Sequence, residues 1–251
     1  MNYKLAFYGG ARTSSDNGAF KWAAKNTQAS YGSVYTTSLF FAKSAKFIID
    51  QINKQTDNSI GRLDIITHAS ATACYMVRNI ETKASGLATD IPNDKKESND
   101  LYASSTANTL ENGWNAPPGD EGGTIYDFEN DKFATDAVIE FHGCRIADSP
   151  EVFIYDNIAE NLSEQLYDDD KTSAVVIGHA TKADPKINGE DTTTEQQQDY
   201  RHKERIVYHN GEVLFRTKVK RHIGKDIIKT YLDKKTEKEE SYNGKKEVYT
   251  K

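Results

Sequence analysis

One stretch of the chain, residues 137–177, restricts the possible folds more than any other. It begins with the apolar run Ala137 to Phe141, which has the length and composition of a buried strand. Apolar residues then recur at a spacing of four: Ile154, Ile158, Leu162 and Leu166. Ser149-Pro150 is a candidate N-cap and first residue of this helix. A second β-rich run, Ser173 to Ile177, follows. Strand, helix and strand in this order predict a βαβ unit and a parallel sheet.

The first third of the chain has the same character. Lys4 to Tyr8 is a candidate opening strand, followed by a stretch of small and polar residues up to about Tyr35. The apolar residues between Phe41 and Ile52 have the period of an amphipathic helix. The β-rich run Leu63 to Thr67 comes next and ends at His68. The sequence therefore predicts an α/β protein whose mainly parallel sheet is flanked by helices.

The remaining segments add an insertion, a hairpin and a tail to one domain, residues 1–233. Residues 81–129 are rich in Asp, Asn, Ser, Gly and Pro and have no clear period, which predicts a long polar insertion. Two β-rich runs flank Asn210-Gly211, which predicts a hairpin within the basic segment 201–222. We expect a closing helix from Ile223 to Leu232 and a charged, flexible tail over residues 234–251.

Composition narrows the classes of partner and the cellular location. The 251 residues have a net charge of −6, which gives no general reason to bind nucleic acid or an anionic membrane. No apolar run reaches the ~20 residues needed to cross a bilayer, so we expect a soluble protein. Two cysteines cannot form a disulfide scaffold, which favours a cytoplasmic location or export as an effector without a cleavable signal peptide. The abundance of Lys, Asn and Tyr suggests a microbial source.

Reactive side chains follow three of the predicted strands: His68, Cys144 and His179. In open parallel sheets, active sites form in the crevice beyond the carboxyl ends of the strands. A cysteine nucleophile needs thiolate character, a nearby imidazole and donors for the developing oxyanion. Gly143 precedes Cys144 and, having no Cβ, would let a substrate carbonyl approach the backbone. These residues predict a Cys-His dyad.

The two strands that lead to His68 and Cys144 resemble the caspase-like cysteine peptidases, which include caspases, clostripain, gingipains, separase and toxin cysteine protease domains. The resemblance rests on Leu63 to His68, on Val138 to Cys144 and on their order, and it extends over about residues 3–180. It implies a cysteine endopeptidase with Cys144 as nucleophile and His68 as proton acceptor. It also implies that Gly143 and Cys144 contribute to the oxyanion hole, and that the substrate is a protein or peptide.

One departure from the family keeps an alternative open. The family usually has His-Gly, where the glycine makes room for the oxyanion and can donate to it, whereas this chain has His68-Ala69. Ala69 favours a second hypothesis, that the chain is a catalytically inactive caspase-like module that binds a partner through its insertion. His142 and His179 are the other candidates for proton transfer; His142 is more typical of a structural residue.

Neither a metal nor a bound cofactor is predicted. Cys74 is typical of a core residue, and the cysteines and histidines lack the C-x-x-C or H-x-x-x-H spacing of a zinc site. A group of basic residues is a candidate anion-binding surface: Arg205, Arg216, Lys218, Lys220 and Arg221. Such a charge run is usually a solvated face. In the toxin protease domains, however, a similarly placed basic surface binds an inositol phosphate that activates the enzyme, so a polyanion activator is a further hypothesis.

Overall fold

The protein is described from a computed structural model, which covers residues 3–9, 18–32, 36–76, 101–103, 122–148 and 157–248. A seven-stranded sheet forms its centre. The strands of this sheet are β1 (Tyr3–Gly9), β2 (Thr36–Ala42), β3 (Ile60–Ile66), β8 (Phe133–Phe141), β9 (Val175–His179), β10 (Arg205–His209) and β11 (Glu212–Thr217). The helices are α1 (Gly18–Ala29), α2 (Ala45–Asn53), α3 (Ile158–Asp168) and α4 (Lys225–Val248).

The order of the strands in the sheet is β2-β1-β3-β8-β9-β10-β11. The first five are parallel, and β10 and β11 are antiparallel to their neighbours. The predicted α/β architecture with a mainly parallel sheet is therefore confirmed. β3 and β8 are adjacent, with Asp64 opposite Glu140. Because parallel neighbours end at the same edge, the segments that follow β3 and β8 emerge side by side.

Helices cover both faces of the sheet. Helices α2 and α3 pack on one face, where Leu63 and Ile139 belong to a large apolar cluster with Ile48 and Leu162. Helix α1 lies on the other face, where Phe20 packs against strand residues such as Ile66. The first turns of α4 cover a further part of that second face through a third cluster. Each face is therefore buried beneath helices.

The region between β1 and β3 differs from the prediction. Residues 36–42 form the edge strand β2, and residues 18–29 form α1, where the sequence showed only a stretch of small and polar residues. Helix α2 begins at Ala45, and Phe41 belongs to β2. The helix starts there because the Ser44 side chain accepts a hydrogen bond from the amide of Phe47, which makes Ser44 its N-cap. The apolar period alone did not reveal this boundary.

Two later helices also have different limits. Helix α3 begins at Ile158, and its N-cap is Asn157, whose side chain accepts from the amide of Glu160. The expected cap at Ser149-Pro150 is therefore wrong for this helix, and residues 149–156 lie outside the described residues. Helix α4 continues to Val248, so much of the segment expected to be a tail is helical.

The predicted hairpin is confirmed. Strands β10 and β11 pair antiparallel around Asn210 and Gly211, whose φ angles are 52° and 67°. Two consecutive left-handed residues make the turn that the Asn-Gly pair favours, since its twist matches that of the flanking strands.

A second, smaller sheet lies beside the main one. It contains β4 (His68–Ala69), β5 (Ala73–Tyr75), β6 (Leu101–Tyr102) and β7 (Gly123–Thr124) in sequence order. Residues 81–100 and 104–121, which form most of the predicted insertion, lie outside the described residues. Within the described part of the chain, no helix has both the length and the apolar character needed to cross a membrane.

Candidate functional site

The segment that follows β3 and the loop that follows β8 are in direct contact. A Cβ added to Gly143 would lie 2.4 Å from the Cβ of Ala69 and 3.2 Å from the carbonyl oxygen of Thr67. Real Cβ atoms do not approach other carbon atoms so closely, so only glycine allows this packing. His68 directly precedes Ala69 in the chain, and Cys144 directly follows Gly143. The fold therefore makes the two predicted dyad segments neighbours at the carboxyl edge of the sheet.

Cys144 is half-buried in a turn. Its sulfur is 4.0 Å from the carbonyl oxygen of Ala183, and its side chain packs against the cluster that contains Phe20 and Tyr200. The next residue, Arg145, has a φ of 59°, an unusual value for a residue other than glycine, and its amide donates to Thr181. Such backbone strain is frequent at functional sites and persists only where the surrounding structure enforces it. The loop after β9 thus fixes the turn that presents Cys144.

His68 is exposed at the same edge, in strand β4. Its ring meets Phe20 edge to face, with the ring centroids 4.8 Å apart. Desolvation lowers the pKa of His68 below its usual 6.5. The imidazole is therefore neutral at pH 7, which is the state that can accept a proton from a thiol. Between Cys144 and His68 no hydrogen bond is formed in this structure, and apo sites often tighten only when substrate binds.

Beneath these loops, one face of the sheet contains a buried network of charged residues. The Arg62 guanidinium donates to Asp64, with distances of 2.8 and 3.1 Å, and to Glu140 at 2.5 Å. Arg205 donates to the other oxygen of Glu140. Burial acts to raise the pKa of Glu140, but the charge of Arg205 outweighs it, with help from His142 and Arg62, and the pKa falls to about 2. Burial likewise acts to raise the pKa of Asp64, but the charge of Arg62 and the hydrogen bond from His142 hold it well below its usual range, so both carboxylates are ionised and paired.

His142 belongs to this network. Its Nε2 lies 2.7 Å from Oδ1 of Asp64, and the residue is sealed from solvent. Asp64, Glu140 and His142 offer ligand atoms within 4.8 Å of one another, the spacing that a metal ion would need. The donor set does not fit a cation, because the guanidinium groups of Arg62 and Arg205 already occupy the carboxylate oxygens and balance their charges. The arrangement is that of an internal ion network.

His179, the third predicted histidine, is the last residue of β9 and is only 1% exposed. Burial lowers its pKa to about 3, helped by the nearby charges of His142 and Arg205. Neither ring nitrogen has a hydrogen-bond partner among the described residues. The ring is neutral and lies below the surface, on the network face rather than in the open edge with His68.

Three of the five residues of the predicted basic surface already have partners within the protein. Arg205 is fully buried against Glu140, and Arg216 pairs with Glu204 at 3.0 Å. Lys220 donates to the carbonyl oxygen of Ile187. Of the five basic residues, only Lys218 and Arg221 have no ion pair or side-chain hydrogen bond within the described chain. The charge available to a polyanion is thus smaller than the sequence indicates.

Sequence reasoning missed several residues of this site. Tyr200 and Phe20 come from segments without a clear period, and their rings stack with centroids 5.5 Å apart. Tyr31 donates its hydroxyl proton to Asp64 from the end of α1. The only available signal was the presence of Arg62 and Asp64 inside an otherwise apolar run, because charged residues are buried almost only in pairs.

Comparisons with known proteins found no match: no family model, no curated protein and no solved structure matches the chain.

Proposed function

We propose that the chain is a cysteine endopeptidase of caspase-like type, with Cys144 as nucleophile and His68 as proton acceptor. The contact of Gly143 with Ala69 and Thr67 is the observation that supports the proposal most. It makes the thiol segment and the imidazole segment neighbours at the edge of the sheet where ligands of parallel α/β proteins bind. Cys144 is half-buried and His68 is exposed, so the pair borders solvent.

The proposed reaction has two steps. In the first, His68 accepts the proton of the Cys144 thiol, the sulfur bonds to the peptide carbonyl carbon, and the carbonyl electron pair moves to oxygen. The tetrahedral species then collapses, and the leaving amine takes the proton from His68. In the second step, water attacks the thioester, gives a proton to His68 and releases the acid, after which the proton returns to sulfur. The lowered pKa of His68 keeps the ring neutral near pH 7, so a ring nitrogen has a free lone pair for the proton, while it also makes the ring a weaker base.

A fluorogenic peptide library tests this function. We expect cleavage by the full chain and a loss of at least about 10³-fold in kcat/KM for both Cys144→Ala and His68→Ala. Cys74→Ala is the matched control, because Cys74 is a buried cysteine in β5, and it should keep the activity. Equal activity of Cys144→Ala and the unaltered chain would contradict the proposal.

The second candidate function is binding without catalysis, and the position of Ala69 favours it. Its methyl group packs directly on Gly143, at the place where the related enzymes usually have the smaller glycine. This module would act through residues 81–129, most of which lie outside the described part of the chain. A chain that cleaves no library peptide and whose Cys144 reacts no faster than an ordinary thiol would support this candidate.

A polyanion activator is a separate proposal that rests on Lys218 and Arg221. Inositol hexakisphosphate should raise the melting temperature of the chain, and the shift should disappear in Lys218→Ala/Arg221→Ala. Arg216→Ala is the control, because Arg216 is already paired with Glu204. A shift that survives in the double variant would place the anion elsewhere.

A further inference from the structure

Tyr200 has an unusual position beside the candidate nucleophile. Its ring is 8% exposed and stacks on Phe20, with 27° between the ring planes. Phe20 also contacts the ring of His68, so one aromatic side chain holds both Tyr200 and His68. Cys144 packs against the same cluster. The residues that carry the thiol, the imidazole and the phenol therefore all contact one aromatic cluster at the carboxyl edge of the sheet.

The hydroxyl group of Tyr200 is not used by the fold. Within the described part of the chain this hydroxyl has no hydrogen-bond partner, and it is not one of the polar atoms that are fully sealed from solvent. By contrast, the hydroxyl of Tyr208 binds Asn157, and that of Tyr31 binds Asp64. Tyrosine hydroxyls in buried positions usually find a partner within the protein. The Tyr200 hydroxyl is thus a donor that remains available to a molecule bound beside Cys144.

The electrostatic surroundings keep this hydroxyl protonated. Burial is the main cause that raises the pKa of Tyr200 well above its usual range, and the negative charges of Cys144 and Asp184 add to it. Tyr200 is therefore a neutral hydrogen-bond donor throughout the physiological pH range. The packing of Cys144 against the aromatic cluster that contains Tyr200 brings the two residues to the same part of the sheet edge.

We propose that Tyr200 is a catalytic residue whose hydroxyl donates a hydrogen bond to the substrate carbonyl oxygen when Cys144 attacks. The inference rests on the proposed function, since it assigns a donor to the oxyanion of that reaction. As sulfur bonds to the carbonyl carbon, the carbonyl electron pair moves to oxygen, and the Tyr200 hydroxyl binds this oxygen while keeping its own proton. When the intermediate collapses, the pair returns and the leaving group departs. This donor compensates for Ala69, where the related peptidases usually have glycine.

Two reagents separate this role from a general effect on the thiol. p-Nitrophenyl acetate acylates sulfur through a tetrahedral oxyanion, whereas iodoacetamide alkylates it by direct displacement and forms none. In Tyr200→Phe, which keeps the ring and its stacking on Phe20, we expect acylation of Cys144 to slow by about 100-fold. Alkylation of Cys144 by iodoacetamide should keep its rate. The acylation rate is read from the burst of nitrophenolate, and the modified cysteine is identified by mass spectrometry.

Tyr8→Phe is the matched control, because Tyr8 belongs to the same aromatic cluster but its ring contacts Phe41 of the edge strand β2, and β3 separates β1 from β8. It should acylate at the rate of the unaltered chain. Unchanged acylation in Tyr200→Phe, or an equal slowing with both reagents, would overturn the role of Tyr200 while leaving Cys144 as nucleophile. If Cys144→Ala shows the same burst as the unaltered chain, the proposed function itself fails and the inference fails with it.

Discussion

The two faces of the central sheet are built from different chemistry. On the face beneath α2 and α3, strands β3 and β8 contribute apolar residues such as Leu63, Ile139 and Phe141 to the main core. On the opposite face, alternate residues of the same strands are charged, and Asp64 and Glu140 lie side by side. Because successive residues of a strand point to opposite faces, one short sequence supplies both surfaces.

The two faces therefore contribute differently to the fold. Apolar burial on the first face contributes roughly 25 cal/mol for each Å² removed from water, without a requirement for exact partners. A buried charge is tolerated only when it is paired, so the second face fixes particular side chains in particular places. Cys144, His68 and Tyr200 lie at the edge of that second face, above the network. The candidate site therefore borders the part of the core in which paired charges fix the positions of the side chains.

The largest expected effect on stability comes from substitutions at two adjacent residues of β8 that point to opposite faces of the sheet. Glu140→Leu leaves Arg205 buried without its carboxylate and should lower the free energy of unfolding by about 3–5 kcal/mol. Ile139→Ala should cost about 2–5 kcal/mol by creating a cavity. The double variant Glu140→Leu/Arg205→Leu should recover about 1–3 kcal/mol of the first loss, because it removes the unpaired charge as well. Urea denaturation measures all three, and an absence of recovery would contradict the pairing.

A smaller effect is expected where the loops meet at the edge of the sheet. Gly143→Ala would place its Cβ 2.4 Å from that of Ala69, and the resulting overpacking should cost about 1–3 kcal/mol. Ala69→Gly removes the clashing methyl group, so Ala69→Gly/Gly143→Ala should regain most of that loss. Urea denaturation measures the free energy of unfolding of each variant. If the double variant is no more stable than Gly143→Ala, the two loops are not in contact.

The smallest effect concerns the pH dependence of stability, which the charged face should dominate. The pKa of His179 is about 3 in the folded chain and about 6.5 when unfolded, so acid favours the unfolded state as pH falls below 6.5. Between pH 7.5 and pH 5.5 the free energy of unfolding of His179→Leu should therefore fall by about 1 kcal/mol less than that of the unaltered chain. Ile139→Ala, on the apolar face, should follow the pH profile of the unaltered chain. Identical profiles for the unaltered chain and His179→Leu would show that His179 is not buried as a neutral ring.

The sequence was most informative where the period of the apolar residues or the residue types of a turn indicate one structure clearly. The βαβ unit from β8 to β9 and the Asn210-Gly211 hairpin were predicted from short patterns and are present in the fold. Strand β2 was missed because Thr36, Thr37 and Ser38 give it a polar start at the edge of the sheet. Helix α1 was missed because it presents a narrow apolar face of Phe20, Ala23 and Ala24.

The chemistry of the charged face could be predicted only in part. His68 and Cys144 could be selected as candidates because each follows an apolar strand, and a strand end can be recognised locally. The pairing of Arg62 with Glu140 depends on which strands are neighbours and on their register, and neither is encoded in a local pattern. Tyr200 reaches the candidate site from a long polar loop, and its position depends on the stacking against Phe20, which no local pattern encodes.

The reactivity of the two cysteines tests the central claim most directly, namely that Cys144 and His68 form a working pair at the edge of the charged face. Iodoacetamide at pH 7 should alkylate Cys144 well ahead of the buried Cys74, and His68→Ala should slow the reaction at Cys144 markedly. Mass spectrometry of the peptides over time gives both rates. Reaction of Cys144 at the rate of an ordinary thiol, unchanged in His68→Ala, would contradict the account.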